Sequence, residues 1–228
     1  MTYVKHGLLT ATMSRVTIVE GVVETARGTR RTPADKYDER RTQLAISALA
    51  TLGELGYAKT SLREIAQNSE FSHGVVHYYF ADKFELITHC VRYYKAQCVT
   101  RYDQIVATAQ TADQLKAEFA ERLATTMRDD AAMHRLWYDL RTQSMFEPSF
   151  RTDVAEIDQS LERMIWRIVA QFADLAGAAP AVAPEVAYAM FDGLFQQALL
   201  KHLAGGESAG ADLTRQVVDL MDRLLLAP

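Results

Sequence analysis

The 27 residues from Thr60 to Leu86, TSLREIAQNSEFSHGVVHYYFADKFEL, restrict what this chain can fold into more than any other stretch does. Ser61-Leu62-Arg63-Glu64 reads as a capping box. The Ser61 hydroxyl accepts from the Glu64 amide, and the Glu64 carboxylate accepts from the Ser61 amide. Leu62, Ile65, Ala66 and Ser69 then give the i, i+3, i+4, i+7 stripe of a short helix with one buried face. Phe71 anchors a turn, and Ser72 is the N-cap of a further helix over His73 to Phe80. Asp82-Lys83-Phe84-Glu85 opens a fourth helix with another cap. Two short capped helices about four residues apart set the geometry of a helix-turn-helix, and the second is sized for a DNA major groove ~12 Å wide. Val76 and Phe80 point to the core, leaving His73, Gly74, Val75, His77 and Tyr78 elsewhere. A plain corner of a helical bundle would carry leucines at those positions.

The formal net charge of −4 becomes compatible with nucleic acid once the chain is divided. Residues 1–101 hold 14 Lys and Arg against 10 Asp and Glu, giving +4; residues 102–228 hold 11 against 19, giving −8. The basic half surrounds the Thr60–Leu86 stretch, as a DNA reader at one end requires. No run of 18 uninterrupted apolar residues exists, so no membrane partner is expected. Cys90 and Cys98 would lie ~12 Å apart along one helix, too far for a mutual disulfide, and the expected setting is reduced and cytoplasmic.

The expected fold class is all-α, in three parts. Residues 1–34 lack sustained periodicity and read as a disordered extension; a lesser alternative is a basic arm using Arg27, Arg30 and Arg31 on DNA. Residues 35–82 form the helix-turn-helix domain. Its first helix starts near Asp35, carries Leu44, Ala45, Ala48, Leu49, Leu52 and Leu55 on one side at helical spacing, and stops at Gly56. Residues 83–228 form a helical ligand-binding and dimerisation domain. The fourth helix is expected to continue through Cys98 towards Val106. Others follow at about 115–127, Asp130 to Phe146, Thr152 to Ala176, Pro184 to Leu203 and Ala211 to Leu226.

The Pro184–Leu203 helix is apolar over much of its circumference, so it needs one partner in its own core and one outside. The expectation is a homodimer through the last two helices, which form a four-helix bundle with their mates. The competing reading is a helix wholly buried in a monomer. A small-molecule effector is expected between the Asp130–Phe146 helix and the long helix after it. Trp137, Tyr138, Arg141, Met145, Phe146, Met164, Trp166 and Phe195 are the candidate lining, with His134 a further polar candidate. Any one of them could equally be ordinary core.

Thr60-Ser61-Leu62-Arg63-Glu64-Ile65-Ala66, Phe71 to Phe80, Lys83 and Leu86 together resemble the signature of the tetracycline-repressor-like (TetR) family of transcriptional regulators. Ile65, Ala66, Ser72, Gly74, Val76, Tyr79, Phe80, Lys83 and Leu86 match its pattern. The resemblance implies a regulator with a small N-terminal reader, a larger ligand-binding and dimerisation domain, and repression of a palindromic double-stranded DNA operator relieved by a small organic molecule. It further implies phosphate-positioning roles for Thr60, Ser61, Tyr78, Tyr79 and Lys83, and groove-facing roles for Arg63, Ser72, His73, Gly74, Val75 and His77. Three positions depart from the pattern. Glu70 stands at the usual glycine, Ser69 at the usual alanine and His77 at the common tyrosine, so the turn must avoid a left-handed residue or carry strain.

The i, i+4 spacing of His73 and His77 also suits a metal pair, but no third ligand lies nearby. No nucleophile elbow, HExxH, phosphate loop or paired-cysteine site occurs, and no cofactor is implied. The rival classes are an enzyme on a helical bundle and a helical protein adaptor.

Overall fold

The computed structural model of the chain describes residues 32–226. The expectations for residues 1–31, including the arm of Arg27, Arg30 and Arg31, lie outside the described residues. The described part is all-α: α1 Pro33–Lys59, α2 Leu62–Gln67, α3 His73–Tyr79, α4 Lys83–Cys98, α5 Asp103–Thr108, α6 Ala112–Asp129, α7 Ala131–Gln143, α8 Arg151–Ala176, α9 Pro184–Leu203 and α10 Ala209–Arg223. Among the described residues the only β pairing is an isolated bridge between Pro180 and Leu225, which ties the α8–α9 link to the end of α10.

Side-chain caps start α2, α3, α4 and α6. The Ser61–Glu64 capping box forms in both directions. Ser72 caps α3 through the Val75 amide. Asp82 caps α4 through the Glu85 amide at 2.9 Å, while the Glu85 carboxylate takes the Ala81 amide rather than that of Asp82. Gly56 breaks α1 with φ 75° and ψ 174°, a conformation that side chains disfavour. The Thr60 hydroxyl then donates to the Gly56 carbonyl at 2.7 Å.

The α2–α3 turn resolves the substitution of glycine by Glu70. Among the described residues no non-glycine has positive φ. The Ser69 hydroxyl instead accepts from the Phe71 amide at 3.2 Å, a side-chain turn that does without a left-handed residue. The two departures at 69 and 70 thus compensate each other.

The expected fourth helix is two. α4 ends at Cys98, and α5 starts only at Asp103. The intervening turn lets Tyr102 bury against the Phe119 ring, centroids 5.2 Å apart, and lets Arg101 pair with Asp130 at 2.7 Å. No proline or glycine marks this break, which tertiary packing makes. α7 likewise ends at Gln143, short of the expected Phe146, with a 3-10 turn at Pro148–Phe150 before α8.

Leu44, Ala48, Leu52, Ile65, Val76, Phe80 and Leu86 form the core of the N-terminal helices and are essentially inaccessible. α1 packs on α4 and on α7, α8 on α9, and α10 on α6 and α9. α7 therefore touches both the helix-turn-helix end and the larger bundle.

Candidate nucleic-acid interface and interior cavity

α3 separates its residues by face. Val76 is fully buried, and Phe80, its C-cap, is buried beside it, whereas His73, Gly74, His77 and Tyr78 are exposed. Val75 and Tyr79 are half-buried, and Ser61, Arg63 and Ser72 are exposed near them in sequence. The His73 and His77 rings pack edge-on at 4.4 Å. Tyr78 and Tyr79 gather around Tyr37 of α1, with centroids at 6.2 and 4.9 Å. Lys83 is half-buried at the start of α4. Ten of the eleven residues proposed for DNA from the sequence are therefore exposed or half-buried. Thr60 is not one of them: it is buried, its hydroxyl occupied by Gly56.

A Cβ built on Gly74 would meet nothing within 4 Å, so the fold has room for a side chain there. What a glycine can serve at such a position is the close approach of something from outside. Among the described residues, no group of three or more His, Cys, Asp or Glu could hold a metal ion.

The second site is interior. A cavity of about 70 Å³ opens between α4, α6, α7, α8 and α9. Trp137, Tyr138, Met164 and Phe195 line it, four of the eight residues proposed from the sequence. Arg141 is not in the lining; it bridges Asp158 (3.3 Å) and Asp192. Met145 and Phe146 are 69% and 80% exposed, because α7 ends before them. Trp166 packs against the core without reaching the cavity.

The cavity also brings in residues the sequence reading passed over. α9 contributes Tyr188, Phe191 and Asp192 beside Phe195, an i, i+3, i+4, i+7 face that was readable. α4 contributes Lys95 and Cys98, and the turn after it Arg101 and Tyr102. Lys95 occupies the inward stripe Val91, Tyr94, Lys95, Cys98, so a charge in an apolar stripe was the available signal.

Electrostatics differ from one side of the cavity to the other. Tyr138 donates to Asp192 at 2.9 Å and Tyr188 to Asp158 at 2.5 Å. Burial first, and then the Asp192 charge, pushes both phenols well up from their usual range. Tyr102 is raised by burial to about 12. On the other side, burial lowers the Lys95 ammonium, and it lowers His134 well below 6.5, with the Lys95 charge assisting. His134 Nε2 lies 3.3 Å from the Tyr94 hydroxyl.

An exposed, capped reading helix on an all-helical body with an interior cavity defines a helix-turn-helix regulator. The comparisons then fix the family. The model described as bacterial regulatory proteins, tetR family, matches residues 47–90, and the one described as BetI-type transcriptional repressor, C-terminal, matches residues 93–225. The chain belongs to the TetR family of transcriptional regulators and is a BetI-type helix-turn-helix repressor. It is 30% identical over 194 residues to the HTH-type transcriptional regulator BetI of Burkholderia thailandensis, covering 83% of this chain and 94% of that one. To the BetI of Paraburkholderia phymatum it is 28% identical over 185 residues, covering 80% and 92%. Among solved structures it resembles the FadR regulator of Bacillus subtilis in complex with stearoyl-CoA (TM-score 0.66, 16% identity, 79% of this chain and 96% of that one). It also resembles a transcriptional regulator of Saccharomonospora viridis in complex with choline (TM-score 0.65, 17% identity, 84% and 100%). Among the described residues no helix is long and apolar enough to cross a membrane.

Proposed function

We propose that this repressor binds a palindromic operator as a homodimer and releases it when a small organic molecule occupies the interior cavity, acting in the cytoplasm by binding alone and without catalysis. Residues 35–82 act as the reader and residues 83–228 as the ligand-binding and dimerisation part. The observation that carries the reading is the division of α3, whose inner Val76 is sealed while His73, Gly74, His77 and Tyr78 face solvent.

In this reading Arg63, Ser72, His73, Gly74, Val75 and His77 meet the groove, and Ser61, Tyr78, Tyr79 and Lys83 meet phosphates. Two copies of α3 would sit about one helical turn apart, ~34–36 Å, on the two half-sites. The pairing surface is supported by Val186, Met190, Leu200 and Leu203, all exposed on α9 at helical spacing. An effector fits the cavity only if it is small, in the size range of the choline bound by the S. viridis regulator rather than the stearoyl-CoA bound by FadR. A ligand that prefers a different spacing of the readers lowers operator affinity by a coupling energy of ~1–3 kcal/mol.

Titration of duplex DNA at several salt concentrations tests this. Lys83→Ala should weaken every sequence and flatten the log K against log salt slope by about 1, whereas Val75→Ala should relax base preference. If Lys83→Ala lost only operator discrimination, the assignment of roles fails. Leu200→Asp should yield monomers in sedimentation, and unchanged dimers would remove α9 as the pairing surface.

A further inference from the structure

The hydrogen bonding left over inside the cavity specifies what it can hold. Both oxygens of Asp192 are taken, one by the Tyr138 hydroxyl and the other by Arg141. Both oxygens of Asp158 are taken too, by Tyr188 and by Arg141. Arg101 is held by Asp130. Each of the four carboxylate oxygens thus already accepts from a neighbouring side chain.

The donors are in the opposite condition. Lys95 is 4% exposed, and among the described residues no hydrogen bond or ion pair holds its ammonium. Its Nζ sits 5.1 Å from the Trp137 ring centroid and 5.7 Å from that of Tyr94, which offer only ring faces. The Trp137 indole Nε1 is also buried without a partner. A buried ammonium left unpaired is costly, and a ligand that supplies an acceptor removes that cost.

Resting on the effector reading above, we propose that the cavity takes a small organic monocarboxylate, its carboxylate accepting from Lys95 Nζ and its apolar part lying against Leu161, Ile165 and Phe191. A carboxylate supplies both the acceptor and the countercharge that the Lys95 ammonium lacks. The volume of about 70 Å³ and the apolar walls favour a short or ring-sized tail. An organic cation meets the repulsion of the Lys95 charge.

The test uses the full chain. Trp137 and Trp166 are its two tryptophans, so Trp166→Phe leaves Trp137 as the single fluorescent reporter at the site. In that background, monocarboxylates from acetate to benzoate are titrated beside their primary amides and choline, with calorimetry in parallel. Carboxylates should saturate, and amides and choline should bind more weakly or not at all. Lys95→Met should lower carboxylate affinity about thirtyfold or more. The variant should fold, because replacing an unpaired buried charge by an apolar side chain of similar length is neutral to stabilising. Amides or choline binding as tightly as carboxylates, carboxylate affinity surviving Lys95→Met, or no saturation by any carboxylate would overturn the assignment. Duplex-DNA retention, measured on the same preparations with and without benzoate, decides the repressor reading separately. Its failure leaves the ligand class as the binding data put it.

Discussion

The outer face of α3 and the interior cavity are built on opposite plans. The α3 face comes from one continuous stretch, projects its side chains into solvent, and draws its rigidity from two residues beneath it, Val76 and Phe80. The cavity is assembled from α4 to α9, and its walls are also core. A reading surface of the first kind can change its side chains without cost to the fold. A binding site of the second kind cannot, because each wall residue supports its neighbours as well as any guest.

The sharpest way to break this contrast is to truncate one large aromatic at each site. Trp137 is 1% exposed, so Trp137→Ala should cost ~3–5 kcal/mol and lower Tm by roughly 10 °C. Tyr78 is 71% exposed, so Tyr78→Ala should stay within about 0.5 kcal/mol of wild type in stability while weakening DNA binding about tenfold. Equal losses of stability in the two melts would end the distinction.

A second prediction concerns pH. Burial, aided by the Lys95 charge, holds His134 well below its unfolded value near 6.5, so below that pH the unfolded chain takes up a proton that the folded chain refuses. Stability should therefore be fully present above pH 6.5 and fall on acidification, with a slope of up to about 1.4 kcal/mol per pH unit from this group. His89, lowered by burial and by Arg41, adds in the same direction. His134→Gln should flatten the slope in thermal melts between pH 8 and 5.5.

Smaller effects sharpen the outer half. Gly74→Ala meets open space in the free protein, so its stability should hold or rise by up to ~1 kcal/mol, while DNA affinity falls if the groove comes as close as proposed. Ser69→Ala removes the acceptor of the Phe71 amide and should cost on the order of 1 kcal/mol, seen as a lower Tm.

The same contrast explains what could be read from the sequence. The capping box at Ser61–Glu64, the buried pair Val76 and Phe80, and the span of α9 were all legible, because capping and helical periodicity act over a few residues. The break after Cys98 was not, since what makes it is Tyr102 reaching Phe119 and Arg101 reaching Asp130, partners far along the chain. Met145 and Phe146 would face inward only on a helix extending past Gln143, where α7 ends. Arg141 was placed by its charge, yet two aspartates on α8 and α9 occupy it. Lys95 went unnoticed because a lysine in a helix is ordinarily read as solvent-facing, and only the assembled bundle encloses it.

One further feature lies where the helix-turn-helix end meets the larger bundle. α1 and α7 meet at Gly53, where a Cβ would lie 3.1 Å from the Ala132 Cβ, and the Arg135 side chain closes on the Gly53 carbonyl. On its other side the same α7 presents His134, Trp137 and Tyr138 to the cavity. A side chain at position 53 would have to push Ala132 aside by a few tenths of an ångström, so how closely α1 and α7 approach at this point depends on the glycine.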